Sequence, residues 1–367
     1  MLNSIEIKNF KVHKKTELDL CPITILAGIN GMGKSSIIQA LLLMRQSMVN
    51  GDGRGLNLKG ELYEAGTAYD VWSQEADSNT ISFDLFSDEG IFRQLYEVRD
   101  GSDTYLSAHT KKPDSDFRNI SLFTDDFQYI SAFRFGPKLS YTRDTFVVKQ
   151  HRQISKFFGR CEYAVHFLFE YGKAINVLPA LKYPGTEYNQ LEDQVQAWME
   201  AVTPDIMIKI LPHGDDLKLN YKYKREGNVP TREISAPNTG FGISYMLPLF
   251  VALLSARPGA LIIIENPEAH VHPRAQAVFM KLVAKCAKAG IQIILETHSD
   301  HIINGAMVAV HDGYPVNDIA VYYIDRSTDE HAAVCARLDV RQNGRIMNPP
   351  AGFCDQIDID LEQIIGL

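Results

Sequence analysis

Apolar and polar positions alternate along the first part of the chain and then change to a helical spacing. The stretches 2–10 and 16–20 alternate with a period of two, and 23–26 is a short apolar run that ends just before Gly28. Apolar side chains at helical spacing follow over 35–49, which predicts a helix. Two further alternating runs within 80–107 flank a short turn. The pattern therefore predicts three strands, a loop and a helix, followed by a hairpin of an antiparallel sheet.

The second half of the chain predicts helices that alternate with buried strands. Helical spacing at 154–171 and 188–202 indicates a mainly helical insertion. The strands then predicted are 206–210, 217–223, 261–264, 291–295 and 319–324, and the helices are 243–254 and 276–289. This alternation is typical of an α/β fold with a mixed or parallel sheet covered by helices. We expect an N-terminal part over 1–137, the insertion over 138–205 and a C-terminal part over 206–367.

Composition narrows the class of protein. The 367 residues include 37 Lys and Arg against 45 Asp and Glu, a net charge of -8, which disfavours a broadly basic nucleic-acid coat. Five scattered cysteines form no CxxC pair, so neither a disulfide framework nor a zinc knuckle is expected. The start lacks the continuous apolar run of a secretion signal, and the most apolar segment is shorter than the roughly 20 residues of a membrane span. We expect a cytoplasmic protein with no membrane contact.

A phosphate-binding loop is the strongest motif in the chain. GINGMGKS at 28–35 matches G-x-x-x-x-G-K-[ST] between an apolar strand and a helix. The backbone amides and the helix N-terminus suit phosphate oxygens, Lys34 would pair with the β- and γ-phosphates, and Ser35 would coordinate Mg²⁺. The motif predicts ATP and Mg²⁺ as ligands. The other predicted ligand-binding residues of this loop are Asn30, Gly31, Gly33 and Ser36.

Two polar strand ends predict the rest of the site. LIIIE at 261–265 is an apolar strand that ends in a carboxylate, as a metal-side acid of the Walker-B type requires. IQIILETH at 291–298 is a second buried strand with a polar tip. Ligands of open α/β sheets collect at the carboxyl edge of the strands. Glu265 is therefore predicted to bind the metal and act in catalysis, and His298 to reach the γ-phosphate.

The ordered motifs GINGMGKSS, NTGFGIS, LIIIENPEAHVHPRAQ and ETHSD resemble the ATPase heads of the SMC, RecF and OLD branch of the ABC ATPases. YISAFRFGP and NPPAGFCDQ are also similar to segments of OLD-like proteins. The resemblance implies an ABC-type P-loop ATPase head that dimerises around ATP, with a composite site completed by a second copy. It also implies that Gly240, Gly242 and Ser244, in the signature position, donate to the γ-phosphate. The glycine turn before the predicted helix agrees, since a helix N-terminus binds anions; an ordinary helix cap is the alternative.

One departure from the family pattern concerns hydrolysis. The resemblance implies two consecutive acids at the strand end, whereas this chain has Glu265 followed by Asn266, and an amide cannot accept a proton from water. Glu268 could replace the missing base, or it could be an ordinary loop carboxylate; His298 could orient the water instead. Hydrolysis is therefore expected to be slow. Gln74 is a further candidate metal-side residue, marked by its spacing from Lys34 alone.

Three other groups of polar residues have open interpretations. His270 and His272 could hold a metal, although the resemblance to an H-x-H-P segment favours a loop that faces the dimer. Lys11, Lys14 and Lys15 could approach the phosphates, but a solvated face is the simpler interpretation. Two basic groups are candidates for nucleic-acid contact, namely Lys149, Arg152, Lys156 and Arg160 on a predicted insertion helix, and Lys218, Lys222, Lys224 and Arg225 on a strand pair.

Two classes of function are consistent with this sequence. The first is a homodimeric ATPase that senses or processes DNA or RNA, in anti-phage defence or genome maintenance. The second is a nucleotide-gated scaffold that restrains or positions a separate effector protein, with ATP as ligand rather than fuel; Asn266 motivates it. The chain has no sustained heptads for a long coiled coil, so a compact head is expected in either case.

Overall fold

The computed structural model describes residues 1–49, 51, 53–109, 117–227, 229–327 and 330–366. In chain order its strands and helices are β1 Leu2–Phe10, β2 His13–Asp19, β3 Ile23–Gly28, α1 Lys34–Val49, β4 Gly55–Asn57, α2 Ala68–Val71, β5 Thr80–Ser87, β6 Gly90–Glu97, β7 Tyr105–Ser107, β8 Phe127–Ile130, α3 Ala164–Tyr171, α4 Leu191–Val202, β9 Ile206–His213, β10 Asp216–Tyr223, β11 Ile234–Ser235, α5 Phe241–Ser255, β12 Leu261–Glu265, α6 Pro273–Lys288, β13 Gln292–Glu296, α7 Asp300–His311, β14 Ile319–Arg326, β15 Ala333–Arg337, β16 Asp339–Val340, β17 Ile346–Met347 and α8 Gln356–Ile365.

The chain divides into two compact units. The central unit comprises 118–295 together with Met1, and the terminal unit comprises 2–117 and 296–367. The terminal unit is thus assembled from two segments that are distant in sequence. The expected insertion, 138–205, lies within the central unit together with 206–295.

The terminal unit combines an antiparallel sheet with a parallel strand pair. Strands β2, β1, β5 and β6 form the antiparallel sheet, which includes the predicted hairpin. Strand β3 pairs in parallel with β14, and β14 pairs antiparallel with β15. Helix α1 leaves directly from the loop after β3, and its apolar face, with Ile38 and Leu41, is fully buried. This packing fixes the loop between β3 and α1.

The central unit places helices against a buried parallel pair. Strand β12 pairs in parallel with β8, and all five residues of β12 are buried, which explains its continuous apolar sequence. Helix α5 packs against α3, α4 and α6. Trp198 of α4 contacts Phe250 of α5 with ring centroids 6.3 Å apart, and its indole N–H donates to the Leu181 carbonyl. Strands β9, β10 and β11 form a separate antiparallel sheet.

One predicted helix is largely wrong. Residues 154–163 are irregular, and the helix begins only at Ala164. The buried Glu162 carboxylate explains the difference, because it accepts hydrogen bonds from the Ser155 hydroxyl at 2.7 Å and from the Lys156 and Phe157 amides, both at 2.9 Å. These bonds hold a loop where the apolar spacing suggested a helix. Among the described residues, no helix is long and apolar enough to cross a membrane.

Candidate nucleotide-binding site

The loop between β3 and α1 has a backbone that its glycines make possible. Gly28 and Gly33 adopt φ values of 137° and 106°. A Cβ at Gly28 would lie 2.2 Å from the Ile324 carbonyl oxygen, and one at Gly33 would lie 2.7 Å from Val12 Cγ2. Neither position accepts a side chain without displacement of its neighbours. The loop therefore curls tightly before the N-terminus of α1, where backbone N–H groups and the helix dipole favour an anion.

Lys34 is the charged residue at the centre of this loop. Its side chain is only 3% exposed, and the ammonium group donates to the carbonyls of Gly28 at 2.8 Å and Ile29 at 2.7 Å. A buried ammonium group surrounded by the curl of its own loop is a donor set that suits phosphate oxygens. The residues present therefore fit a nucleoside triphosphate.

Ser35 is paired with a carboxylate that the sequence analysis missed. The Ser35 hydroxyl donates to Glu296 Oε1 at 2.7 Å, and Glu296 is 3% exposed. Glu296 ends β13 and begins the second segment of the terminal unit. A hydroxyl that donates its proton to a carboxylate keeps an oxygen lone pair for a cation, so this pair fits Mg²⁺. The sequence signal was the same as for Glu265: an acid at the last position of an apolar strand.

His13 supports the loop from within the terminal unit. Its Nε2 lies 3.0 Å from the Gly33 carbonyl oxygen and its Nδ1 lies 2.9 Å from Thr16 Oγ1. Because a carbonyl only accepts, Nε2 carries the proton and Nδ1 accepts from the hydroxyl. Burial lowers the pKa of His13 to about 4, with the charge of Lys11 as a smaller contribution. The ring is therefore neutral near pH 7.

The N-terminal lysines have partners other than the loop. Lys11 donates to Gln39 Oε1 at 2.7 Å and to the Tyr63 hydroxyl at 2.8 Å, and burial lowers its pKa to about 8. Lys14 forms an ion pair with Glu330 at 3.0 Å. These contacts favour a structural role for Lys11 and a surface role for Lys14.

The remaining predicted residues of the terminal unit occupy exposed or half-buried positions. Asn30 and Gly31 are exposed in the loop, and the Ser36 amide donates to the Gly33 carbonyl at 3.0 Å. The Thr297 amide donates to Leu26 of β3 at 3.1 Å, and the exposed His298 follows directly. His298 thus lies just after a residue bonded to the strand that leads into the loop. Gln74 lies exposed in a turn, and its predicted metal role stays a prediction.

Glu265 lies at the end of β12 in the central unit. It is 8% exposed, and its Oε2 accepts from the Ala132 amide at 3.3 Å. Asn266 follows with φ 43° and opens a turn in which the Ala269 amide donates to the Asn266 carbonyl and the Val271 amide to the Glu268 carbonyl. Asn266 and Glu268 are both half-buried. We call residues 265–271 the acidic turn.

The Arg134 side chain holds the acidic turn by hydrogen bonds to the backbone carbonyls of the turn. The side chain is 1% exposed, and its five N–H groups face five carbonyl oxygens. Two bonds go to Ser131 at 3.3 Å and Tyr245 at 3.2 Å, and three go to consecutive residues, Glu265 at 3.2 Å, Asn266 at 3.1 Å and Pro267 at 3.3 Å. The guanidinium also lies 4.8 Å from the centre of the Tyr245 ring. Arg134 thereby joins β12, the acidic turn and α5.

The start of α5 contacts the same turn. Gly240 is the N-cap, and Phe241 is 55% exposed. A Cβ at Gly242 would lie 2.6 Å from the His270 carbonyl oxygen, and the His270 ring lies 4.9 Å from that of Tyr245. The close approach explains why a glycine stands at 242. The exposed helix start fits the predicted anion-binding role of Gly240 and Gly242.

Ser244 lies on the side of α5 that is buried in the central unit. It is 6% exposed and lines a small internal cavity with Tyr141, Leu219 and Leu247. The helix begins at Phe241, so position 244 falls on the inward face, as does position 247. The predicted contact of the Ser244 hydroxyl with the γ-phosphate stays a prediction.

The histidines of the acidic turn and its neighbour act as structural residues. His272 is the N-cap of α6, and its Nδ1 accepts from the Arg274 amide at 3.2 Å. His270 packs on Tyr245 as described above. Within the described ranges, no three His, Cys, Asp or Glu side chains are grouped as a metal site. These contacts favour the loop-shaping interpretation over a metal site.

Two family models match separate parts of the chain. Residues 1–138 match a family described as an AAA ATPase domain, and residues 165–304 match an AAA-domain family whose description names the AbiEii toxin and a type IV TA system. The Old nuclease of Escherichia phage P2 is 24% identical over 346 residues, which are 84% of this chain and 58% of that protein. The OLD nuclease of Thermus scotoductus is 22% identical over 330 residues, which are 82% of this chain and 59% of that protein. The chain therefore spans well under two thirds of the length of these relatives.

Solved structures show the same fold. An SMC head bound to the C-terminal winged-helix domain of ScpA covers 92% of this chain and 98% of that one, with a TM-score of 0.56 and 14% identity. A Pyrococcus furiosus SMC head with an extended coiled coil, bound to the C-terminal domain of ScpA, covers 99% of both chains with a TM-score of 0.53 and 14% identity. The fold is that of an ABC-type P-loop ATPase head, as predicted. The chain is thus similar in sequence to OLD nucleases and in fold to SMC heads.

Proposed function

We propose that the chain binds ATP with Mg²⁺ at the phosphate loop and hydrolyses it slowly, as a dimer in which the start of α5 of one copy caps the nucleotide of the other. The observation that carries the proposal is the glycine loop closed around the Lys34 ammonium beside the Ser35–Glu296 pair. The exposed Phe241 at the start of α5 supports a contact made with a second chain.

Each residue has a task that its surroundings suit. Lys34 and the loop amides bind the β- and γ-phosphates, and Glu296 orients the Ser35 hydroxyl toward a cation. Glu265 supplies a second carboxylate for the metal side. Mg²⁺, when bound, would neutralise phosphate charge and so favour attack of water on the γ-phosphorus. Glu268 and His298 are the candidates to accept a proton from that water or to orient it, because the amide of Asn266 cannot accept the proton.

The test is steady-state ATP turnover and ATP affinity of the full chain, with mass measured by light scattering in ATP and Mg²⁺. Lys34→Ala should abolish ATP binding, turnover and any ATP-dependent dimer. Lys15→Ala, an exposed lysine of β2 in the same unit, is the matched control and should behave like the wild type. ATP binding by Lys34→Ala at wild-type affinity would exclude the loop as the site.

Glu296→Gln separates the metal-side role from phosphate binding. Loss of the carboxylate should raise the Mg²⁺ concentration needed for half-maximal turnover by about 10-fold, as expected when an oriented ligand loses its partner. Glu17→Gln, an exposed acid of β2, is the control. An unchanged Mg²⁺ dependence in Glu296→Gln would remove Glu296 from the proposed site.

A nucleic-acid role is favoured by one surface of the central unit. Between 138 and 160 the chain has six Lys and Arg but a single acid, Asp144, although the whole protein is acidic. Three of these cations lie over aromatic rings: Arg152 over Tyr171 at 5.4 Å, Lys156 over Phe157 at 5.1 Å and Arg160 over Phe158 at 5.0 Å. Cations interleaved with aromatic rings suit a single strand, which offers both phosphates and stacking bases. We call residues 138–160 the basic–aromatic segment.

The second predicted basic group is less suited to phosphates. Lys222 pairs with Glu233 at 3.3 Å, and Lys224 pairs with Glu200 at 2.6 Å. Carboxylates thus neutralise two of the four cations of this group, whereas in the first group Lys149 pairs with Glu170. We therefore assign the nucleic-acid role, in anti-phage defence or genome maintenance, to the basic–aromatic segment.

A nucleotide-gated scaffold is the second candidate, and Asn266 favours it. With an amide in place of the expected base, ATP would act as a ligand that shifts a conformational equilibrium by its differential affinity for the two states. A separate effector protein would then be held or released. Asn266→Glu should raise turnover and weaken that restraint; restraint that is unchanged while turnover rises would count against the scaffold.

A further inference from the structure

We propose that Arg134 is a positioning residue that makes the acidic turn and the start of α5 move as one body. The inference rests on the proposed function for its kinetic effect, because that function gives the two segments their roles in hydrolysis. Nothing in the ATPase motifs assigns a task to position 134.

The first observation is the bonding of the guanidinium group. Every N–H of Arg134 faces a backbone carbonyl, three of them on the consecutive residues Glu265, Asn266 and Pro267. Backbone carbonyls are fixed by the chain and cannot rotate away as side chains can. A planar group that bonds three successive carbonyls therefore sets the path of the chain directly after β12. Asn266, with φ 43°, needs such support because this backbone conformation is unfavourable for a side-chain-bearing residue.

The second observation is the connection to α5. The Nε of Arg134 donates to the Tyr245 carbonyl, and the guanidinium lies against the Tyr245 ring. His270 of the acidic turn makes a second contact with α5. Its ring packs on the Tyr245 ring, and its carbonyl lies against Gly242. Helix and turn are thus tied at two points. A shift of the helix start has to carry the turn with it.

A kinetic consequence follows from this geometry. If a second copy binds nucleotide at the start of α5, the position of that helix also sets the position of Glu265 and Glu268. Loosening the connection should leave ATP binding at the phosphate loop intact and slow the chemical step. A misplacement of about 1 Å in a reacting arrangement costs up to about 100-fold in rate.

The experiment compares Arg134→Lys with wild type in the full chain. Lysine keeps a positive charge but has three donors on one nitrogen, so it cannot bridge the carbonyls of three consecutive residues. We expect turnover to fall at least about 10-fold while the dissociation constant for ATP changes less than about twofold. Equal losses of turnover and ATP affinity, or no loss of either, would overturn the inference.

Gln194→Leu is the matched control for a merely structural effect. Gln194 is also buried in the central unit and also bonds backbone groups, accepting from the Tyr183 amide and donating to the Tyr188 carbonyl. It contacts neither α5's start nor the acidic turn in these bonds. It should lower the unfolding midpoint without separating turnover from ATP affinity. The same kinetic pattern in both variants would show that Arg134 acts only through stability.

A second variant and a readout without ATP keep the inference testable if Arg134→Lys does not fold or if the protein proves not to hydrolyse ATP. Gly242→Ala pushes a Cβ against the His270 carbonyl while keeping an allowed backbone. Hydrogen exchange should then accelerate both at Ile243 in α5 and at Ala269 and Val271 in the acidic turn, with α6 unchanged as internal control. Faster exchange in α5 alone would disprove the coupling, whatever the outcome for ATP turnover.

Discussion

His13 shows how one buried side chain can make the phosphate loop sensitive to acid. The neutral ring bridges Thr16 and the Gly33 carbonyl, and burial lowers its pKa to about 4. The unfolded chain, with the ordinary histidine pKa of 6.5, binds a proton more readily than the folded protein between pH 6.5 and 4. This contribution to stability is complete above about pH 6.5 and is lost as the pH falls toward 4.

The residue-scale prediction follows from that sign. Between pH 7 and pH 5, wild type should lose about 2 kcal/mol more of its free energy of unfolding than His13→Gln, whose amide can donate to the same carbonyl without titrating. Denaturant unfolding at the two pH values measures the difference. Burial also lowers the pKa of His166, but that contribution is common to both proteins and cancels. Equal losses in the two proteins would contradict the buried neutral ring.

At the scale of elements, the tight passage from β3 into the loop rests on Gly28. Its φ of 137° and the Ile324 carbonyl at 2.2 Å from a built Cβ exclude any side chain without movement of β14. Gly214, in the turn between β9 and β10, has a positive φ of 59° but no atom within 4 Å of such a Cβ. A side chain at Gly214 would therefore cost backbone strain alone, whereas one at Gly28 would cost backbone strain and a steric clash with β14.

Gly28→Ala should destabilise the protein by several times the cost of Gly214→Ala, which we expect to be about 1 kcal/mol from backbone strain alone. Denaturant unfolding of both variants gives the comparison. Gly28→Ala should also weaken ATP binding, because the loop cannot keep its path, whereas Gly214→Ala should not. Similar costs at the two positions would mean that β14 yields easily and that the loop is less fixed than described.

Elements and site differ in how far the sequence predicts them. The alternating β5 and β6 and the continuously apolar α5 and β12 were predicted to within a few residues because burial is written into their apolar positions. The loop at 154–163 was not predicted. The hydrogen bonds that the Glu162 carboxylate accepts from Ser155, Lys156 and Phe157 compete with helix formation, and they leave no periodic pattern in the sequence.

The site shows the same division. The phosphate loop is a local motif and was recognisable, whereas the Ser35–Glu296 pair joins residues far apart in sequence. For Ser244 the limit is a different one, since its predicted role came from a resemblance in sequence position, which carries no information on the burial of the side chain in α5. Arg134 lies in YISAFRFGP, a segment that resembles OLD-like proteins. Its proposed positioning role, however, depends on the backbone carbonyls of Glu265, Asn266 and Pro267, which no side-chain pattern reveals.

At the scale of the whole molecule, the proposed nucleic-acid contact lies on the basic–aromatic segment of an acidic chain. The double variant Lys156→Glu and Arg160→Glu should weaken binding to single-stranded oligonucleotide and lower the slope of log affinity against log salt by about 1 per lost phosphate contact. Lys222→Glu with Lys224→Glu makes the same change of net charge on the acid-paired surface and is the control. Equal losses in both double variants would point to net charge rather than to the basic–aromatic segment.

The division of the chain into a continuous central unit and a terminal unit made of two segments sets an order of events during synthesis. Residues 118–295 emerge from the ribosome as one stretch and can fold while translation continues. The phosphate loop emerges much earlier, yet the pairing of β3 with β14, which joins Ile23 to Ile319 and Gly28 to Ile324, forms only when β14 is made. The apolar segments β3 and α1 therefore lack part of their packing until the second segment of the terminal unit has been synthesised. The nascent protein cannot complete the strand pair behind its phosphate loop before Ile324 has been made, so chaperone contact should concentrate on β3 and α1.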